Sequence, residues 1–164
     1  MIRAVEGISP TQATFRPAPD EWNILENLEH IALAEYSGVS KIWAAIEGVR
    51  LGTPVFTGEH TNRGLGIEEI IARTWKPKEA APPIATPHVG GTLRYWIEFL
   101  RACQTVLEKT EGELTGLAPE TVVFPHFLCG PLDAKQRFDF LSFHTDRHTA
   151  QIGRIKAAPG FPQA

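Results

Sequence analysis

The sequence lacks the features of a membrane-spanning or secreted protein. No apolar run approaches the ~20 residues that a membrane-spanning helix needs, and the opening residues MIRAVEGISP contain no long apolar core of a secretion signal. Only two cysteines occur, Cys103 and Cys129, and they form no CxxC pair. Two lone cysteines in a chain without a signal predict small, buried, free thiols and a reducing cytoplasm.

The sequence also lacks an excess of positive charge. Its formal net charge is −3, so electrostatics offer no reason to expect a nucleic acid or an anionic membrane as partner. No internal repeat, low-complexity tract or long heptad run is present. What remains is the composition of an ordinary globular protein, with 43% hydrophobic and 21% charged residues. The length of 164 residues suits one domain spanning residues 1–164.

Helical periodicity appears first in two stretches of the N-terminal half. We expect a long helix within residues 19–50, capped at its start by Asp20 and ended by Gly48 or Gly52. Its apolar face is predicted from residues at helical spacing, namely Ile24, Leu28, Ile31, Ile42 and Ile46. A short second helix is expected from Gly66 to Trp75.

Two further helices are predicted in the C-terminal half. The third covers residues 91–112, with Thr92 as its cap and Gly112 as its end. Its apolar stripe consists of Leu93, Trp96, Leu100, Cys103 and Leu107. The fourth is expected to begin near Pro131, where a missing backbone N–H is harmless, and to end before Pro159.

The segments between these helices are irregular. Residues 51–66 are rich in glycine and threonine, and residues 76–91 contain four prolines, which exclude a helix there. The only strand signal is TVVF, residues 121–124. Long helices with so few strand signals predict an all-α bundle. The loops exceed what a simple bundle needs, and such loops often cover a functional site.

Two histidines lie one turn apart on the fourth helix. On a helical projection His148 falls in the middle of the apolar stripe and His144 lies on its flank. Neutral imidazole is a good ligand for zinc or nickel, and two rings at this spacing can bind one ion. A buried histidine with a hydrogen bond plus a surface histidine also explains the pattern, and spacing alone favours that explanation. Thr145 stands where HExxH zinc proteases have their glutamate, so that chemistry is not supported.

A catalytic zinc site requires a third protein ligand. His60, His88 and His126 lie outside the long helices, whereas His30 lies inside the first one. The projection places His30 on a polar stripe that is either solvated surface or the wall of a cleft, and the residues alone favour surface. Glu35 falls on the apolar side, where a carboxylate must be paired or line a polar pocket, unless the face is misassigned.

Three segments together carry a resemblance to a known family. FRPAPDEWNILENLEHIALAE, CGPL and FHTDRHTAQIGRIK, in this order, resemble the DinB-like superfamily, also described as YfiT-like metal-dependent hydrolases. The resemblance extends from about Gly7 to Pro162. The matching positions are Trp22, His30, Glu35, His144 and His148.

The resemblance implies an all-α DinB-like helical bundle with a divalent metal ion, zinc or nickel, held by His30, His144 and His148. It implies a metal-dependent hydrolase or a transferase that uses a low-molecular-weight thiol, acting on a small-molecule substrate. Glu35 would then be a catalytic base or would orient the metal ligands. A non-enzymatic metal- or ligand-binding stress or sensor protein remains the alternative, because many members of this family have no assigned activity.

One departure from the family concerns the N-terminus. Family members usually begin with a full helix before the RPAPDEW segment. This chain offers only MIRAVEG and a further turn in SPTQAT, with Ser9 as cap and Pro10 at its first position. A bundle with a shortened helix exposes an apolar groove. We expect either an irregular segment to cover that groove or a second copy of the chain to do so in a homodimer, with the tryptophans and isoleucines of the first long helix in the contact.

Overall fold

Helices dominate the computed structural model, which describes residues 1–76 and 80–163. Within these residues the helices are α1 (Pro10–Thr14), α2 (Ile24–Arg50), α3 (Ile67–Thr74), α4 (Leu93–Glu113) and α5 (Ala134–Lys156). Short 3₁₀ turns occur at Ile2–Val5, Pro83–Ala85 and Pro119–Thr121. The mostly helical fold that was predicted is confirmed. None of the described helices combines the length and apolar character needed to cross a membrane.

The start of α2 differs from the prediction by a few residues. Asp20 lies in a turn before the helix, and the cap is Asn23. The Glu26 amide donates to Asn23 Oδ1 at 2.8 Å, and the Asn23 amide donates to Glu26 Oε2 at 2.9 Å. This reciprocal capping box satisfies two N-terminal amides at once, so it outweighs a single aspartate cap placed earlier.

The end of α2 follows one of the two predicted alternatives. The helix ends at Arg50, and Gly52 adopts a positive φ of 71°. The Thr53 amide donates to the Gly48 carbonyl at 2.8 Å, and the Gly52 amide donates to the Val49 carbonyl at 3.1 Å. This is the Schellman pattern, in which glycine takes the left-handed conformation that other residues avoid.

The predicted cap of α4 is confirmed, but its predicted end is wrong. The Tyr95 amide donates to Thr92 Oγ1 at 3.2 Å. The helix continues through Gly112 to Glu113. Gly112 is not among the glycines with positive φ, whereas Gly116 has a φ of 82°. A glycine that keeps a helical φ does not end a helix.

The predicted start of α5 at Pro131 is also wrong, because Pro131 lies in a strand. The hairpin pairs β1 (Val123–His126) with β2 (Gly130–Asp133) in antiparallel register, and Pro125 is opposite Pro131. The TVVF segment therefore marked only the beginning of β1. The α5 cap is Asp133, whose Oδ1 accepts from the Gln136 amide at 2.9 Å while the Asp133 amide donates to Gln136 Oε1 at 3.1 Å.

The contacts of the chain divide it into two compact units. Unit 1 comprises Met1–Glu35, Pro82–Gln104 and Phe143–Ala164, and unit 2 comprises Tyr36–Ala81 and Thr105–Ser142. Helices α2, α4 and α5 contribute residues to both units. The single domain over residues 1–164 stays a prediction.

The core of unit 1 includes residues from the N-terminal segment. Its buried members are Val5, Ile24, Leu28, Ile31, Ala32, Trp96, Leu100, Ile152 and Ile155. The turn expected in SPTQAT is present as α1, with Ser9 in a capping box with Gln12 and Pro10 at the first position. Phe15, just after α1, packs edge-on against Phe161 with ring centroids 5.5 Å apart. The short N-terminal elements therefore supply apolar side chains to this core.

The core of unit 2 consists of two apolar clusters. One contains Val39, Ile42, Ala45, Ile46, Val122, Ala134 and Leu141. The other contains Ile67, Ile70, Cys129, Leu132 and Phe140. Ile42 and Ile46 are buried here, and Ile24, Leu28 and Ile31 are buried in unit 1, so the predicted apolar face of α2 is confirmed.

Candidate metal centre

Three histidines of unit 1 meet in its interior. His30 comes from α2, and His144 and His148 come from successive turns of α5. Their side chains are 4%, 8% and 5% exposed, and one ring nitrogen from each lies within 4.8 Å of the others. The surface position that the residues alone favoured for His30 is wrong. The polar stripe of α2 is instead buried at Asn23 and Asn27 as well.

The ring of His30 is held by a backbone carbonyl. His30 Nδ1 donates to the Ala85 carbonyl at 2.7 Å. A carbonyl can only accept, so the proton of the neutral ring lies on Nδ1 and Nε2 carries the lone pair. That Nε2 lies 3.2 Å from His144 Nε2. The lone pair of His30 therefore points into the space between the rings.

The ring of His148 is held by a side-chain amide. His148 Nδ1 donates to Asn27 Oδ1 at 2.8 Å, and Asn27 Nδ2 donates to the Asn23 carbonyl at 2.9 Å. The second bond fixes which end of the amide faces the imidazole, because only the nitrogen can donate to a carbonyl. Partners of this kind at Nδ1 are the usual means of orienting metal-binding histidines.

Burial keeps all three rings neutral. Desolvation, followed by the nearby His30 and Arg147, lowers the pKa of His144 to about 3. Desolvation, together with the other two histidines, lowers the pKa of His148 to about 2. The pKa of His30 is also lowered by burial, although its bond to Ala85 acts in the opposite direction. Metal ligation requires the neutral form, so all three rings are already in the protonation state that a metal ion needs.

One aromatic side chain covers the histidines. The Trp22 ring lies 4.8 Å from the His30 ring and 6.3 Å from the His148 ring between centroids, and it is stacked on the latter. The indole thus places an apolar surface against the rings of His30 and His148. This tryptophan is one of the positions on which the family resemblance depends.

Glu29 is a buried acidic residue that the sequence analysis missed. It is 1% exposed, and its carboxylate accepts hydrogen bonds from the amides of His88, Val89 and Gly90 at 2.5 to 3.0 Å. The segment it holds follows Ala85, whose carbonyl orients His30. No sequence signal pointed to this role, because the three amides lie about 60 residues away along the chain.

We expect Glu29→Gln to lower the free energy of unfolding by about 3 kcal/mol, because hydrogen bonds to a buried charged group are strong and an amide leaves N–H donors unsatisfied. Urea unfolding followed by circular dichroism measures the change. Glu98→Gln is the matched control. Glu98 forms an exposed ion pair with Arg101, so this substitution should cost less than about 1 kcal/mol. Equal effects of the two substitutions would contradict this role of Glu29.

Glu35, which was predicted on the apolar side of α2, has a hydrogen-bond partner there. Thr145 Oγ1 donates to Glu35 Oε1 at 3.0 Å, and burial raises the pKa of Glu35. Thr145 lies between the two histidines of α5 in the sequence. Burial and the negative charge of Glu35 together raise the pKa of Cys103 to about 11, so that thiol is un-ionised at neutral pH.

The other histidines serve different purposes. His60 Nε2 lies 3.2 Å from Gln136 Oε1 in unit 2, and His88 is exposed. His126 Nδ1 accepts the Cys129 amide at 3.1 Å within the hairpin turn. Among the described residues, the only group of three or more histidine, cysteine or acidic side chains arranged to hold a metal ion is the histidine cluster of unit 1.

Comparison with known proteins agrees with this geometry. The model of the DinB superfamily matches residues 1–152. Comparison with curated proteins and with solved structures gave no match. The matched segment contains all three clustered histidines and nearly the whole helical fold. The chain therefore belongs to the DinB superfamily.

Proposed function

We propose that His30, His144 and His148 bind one divalent metal ion, and that the protein uses it as a hydrolase or a thiol-dependent transferase acting on a small molecule. The observation that carries this proposal is the burial of three neutral imidazoles whose nitrogens lie within 4.8 Å of one another. The orientation of two of these rings by Ala85 and Asn27 further supports it.

The donor set suits zinc or nickel. Imidazole nitrogen is a favoured ligand of both metals, and affinity alone does not select between them in a cell. Three protein ligands are the number that leaves a position open for water or substrate. A divalent cation bound there would lower the pKa of a water molecule or thiol at the open position to near neutrality.

In this proposal, residues of unit 1 also carry out proton transfer and exclude water from the metal. In this proposal Glu35 accepts a proton from the nucleophile, and burial raises its pKa towards the range that suits a general base. Trp22 excludes water from one side of the histidines. The resemblance to thiol-using relatives makes a low-molecular-weight thiol the proposed co-substrate. The unionised Cys103 is not assigned a catalytic part.

Metal analysis of matched variants tests the proposal. Protein purified without added metal is expected to contain about one equivalent of zinc or nickel, and His148→Ala is expected to lose most of it because two imidazoles bind far more weakly than three. His88→Ala is the control, since His88 is an exposed histidine of the same unit. Full metal content in His148→Ala, or loss in His88→Ala, would refute the assignment. Bound metal without turnover on any tested substrate would favour the non-enzymatic alternative.

We also propose a homodimer, through a contact that keeps a tryptophan of the first long helix but not its isoleucines. The isoleucines of α2 are buried and cannot form the contact expected from the sequence. Tyr36 and Trp43, seven residues apart on α2, are exposed, as is Val106 on α4. Trp43 is held in place by a 2.7 Å bond from its Nε1 to Thr110 Oγ1. These apolar side chains of unit 2 suit a two-fold contact.

Sedimentation equilibrium tests the homodimer. The unmodified protein is expected to sediment as a dimer at micromolar concentration, and Trp43→Glu as a monomer with unchanged circular dichroism. Leu51→Glu, an exposed apolar residue beyond the end of α2, is the control and should remain dimeric. A monomeric unmodified protein, or a dimer that Trp43→Glu leaves intact, would refute the proposal.

A further inference from the structure

Within the described residues, a buried arginine of unit 2 has no acidic ion-pair partner. Arg137, in the first turns of α5, is 4% exposed. Its Nε is fully buried without a hydrogen-bond partner, and among the described residues no ion pair involves this guanidinium. A buried, unpaired charge costs several kcal/mol. Proteins rarely retain such a group unless something outside the chain compensates it.

The acidic residues nearest to Arg137 along the helix are engaged elsewhere. Asp133 caps α5 through the Gln136 amide, and Asp139 forms an ion pair with Lys135 at 2.8 Å. No other acidic side chain of the described residues takes their place as an ion-pair partner of Arg137.

The neighbouring thiol does not supply a negative charge either. Cys129 Sγ accepts a hydrogen bond from Trp75 Nε1 at 3.3 Å, but burial still raises the pKa of this thiol, so it is neutral at pH 7. A neutral thiol offers Arg137 no charge. In the part of the chain that the structure describes, no negative charge therefore pairs with the guanidinium.

Unit 2 also contains a second cation, Lys41, and each of the two cations lies near an aromatic ring. Lys41, on α2, also belongs to unit 2; burial, and after it the positive charge of Arg137, lowers the pKa of this lysine. Lys41 Nζ lies 5.4 Å from the centre of the Phe124 ring, and the Arg137 guanidinium carbon lies 5.8 Å from the centre of the Phe140 ring. Cation–π contacts offset only part of the cost of burying charge. Two adjacent cations without an acid attract an anion.

We propose that Arg137 and Lys41 form a binding site for the carboxylate of a small organic anion whose body is aromatic or apolar. The planar guanidinium matches a carboxylate through two parallel hydrogen bonds, and Lys41 adds a second charge. Phe124, which is only partly buried, provides the apolar surface for the rest of the ligand. This proposal concerns unit 2 alone and does not depend on the metal site.

Calorimetric titration with benzoate at constant ionic strength tests the site, with neutral benzamide as the matched ligand. Benzoate is expected to bind, and benzamide is expected to bind at least about tenfold more weakly, because charge-assisted hydrogen bonds dominate. Arg137→Met should weaken benzoate binding by about tenfold or more, and Lys41→Met by a smaller factor. Arg154→Met is the control, since Arg154 is an exposed arginine of the same helix and should leave binding unchanged.

Thermal unfolding without ligand separates this role from a structural one. If Arg137 is retained for a ligand at a cost in stability, Arg137→Met should unfold at a higher temperature than the unmodified protein, and benzoate should no longer raise that temperature. Failure of the unmodified protein to bind benzoate would overturn the proposal. So would equal binding of benzoate by Arg137→Met, or a lower unfolding temperature of that variant without ligand.

Discussion

The metal-free protein is expected to lose about 5 kcal/mol of its free energy of unfolding as the pH falls by about two units below 6.5, because two buried histidines resist protonation. In the unfolded chain His144 and His148 take up protons below their ordinary pKa of 6.5, whereas in the folded protein their pKa values are about 3 and about 2. Unfolding therefore absorbs protons throughout this range, and acid favours the unfolded state. The lowered pKa of His30 acts in the same direction.

Glu35 acts in the opposite direction. Its raised pKa means that the folded protein binds a proton before the unfolded chain does, which offsets part of the loss at the acid end of the range. The histidines still determine the sign of the pH dependence of the free energy of unfolding, because two or three histidines outnumber one carboxylate. The contribution of the neutral histidines to the free energy of unfolding should be fully present above about pH 6.5.

Urea unfolding of chelator-treated protein at a series of pH values measures this dependence. Each histidine that remains neutral only in the folded state contributes a slope of about 1.4 kcal/mol per pH unit. His148→Gln should reduce the slope by about that amount, whereas the exposed His88→Gln should leave it unchanged. The same slope in His148→Gln and the unmodified protein would show that burial does not keep this ring neutral.

Glu35→Gln is expected to lower turnover by a factor of about 10² to 10⁴, since an amide cannot accept a proton and general-base catalysis typically contributes this much. Metal content should stay the same, because Glu35 is not one of the three clustered ligands. The hydrogen bond with Thr145 can be retained by the amide oxygen, so the fold should survive.

Turnover is measured with a panel of activated esters and amides, and with electrophiles in the presence of low-molecular-weight thiols. Glu98→Gln, which removes an exposed carboxylate, should retain full turnover. Full turnover in Glu35→Gln would remove the glutamate from the mechanism without affecting the metal assignment. Loss of metal in that variant would instead show that Glu35 supports the histidine cluster.

Local patterns predicted the helices well and their ends less well. The spacing of Ile24, Leu28 and Ile31 identified the buried face of α2, because burial of an amphipathic helix depends on local periodicity. Asp20 and Gly112 were misassigned for a different reason. Several residues near a helix end can cap or terminate it, and reciprocal bonds or the φ actually adopted decide among them.

The sequence by itself determined that His144 and His148 lie on one side of a helix, since a separation of four residues is one helical turn. Only the family resemblance added His30, and the projection alone favoured its exposure. Tertiary structure decided otherwise, because burial of His30 depends on α5 and on the Ala85 carbonyl, both distant in sequence. Glu29 and Arg137 could not be found from the sequence for the same physical reason. The role of a buried charge depends on what lies around it in space. Glu29 has three backbone amides around it, and Arg137 has no acidic ion-pair partner among residues 1–76 and 80–163.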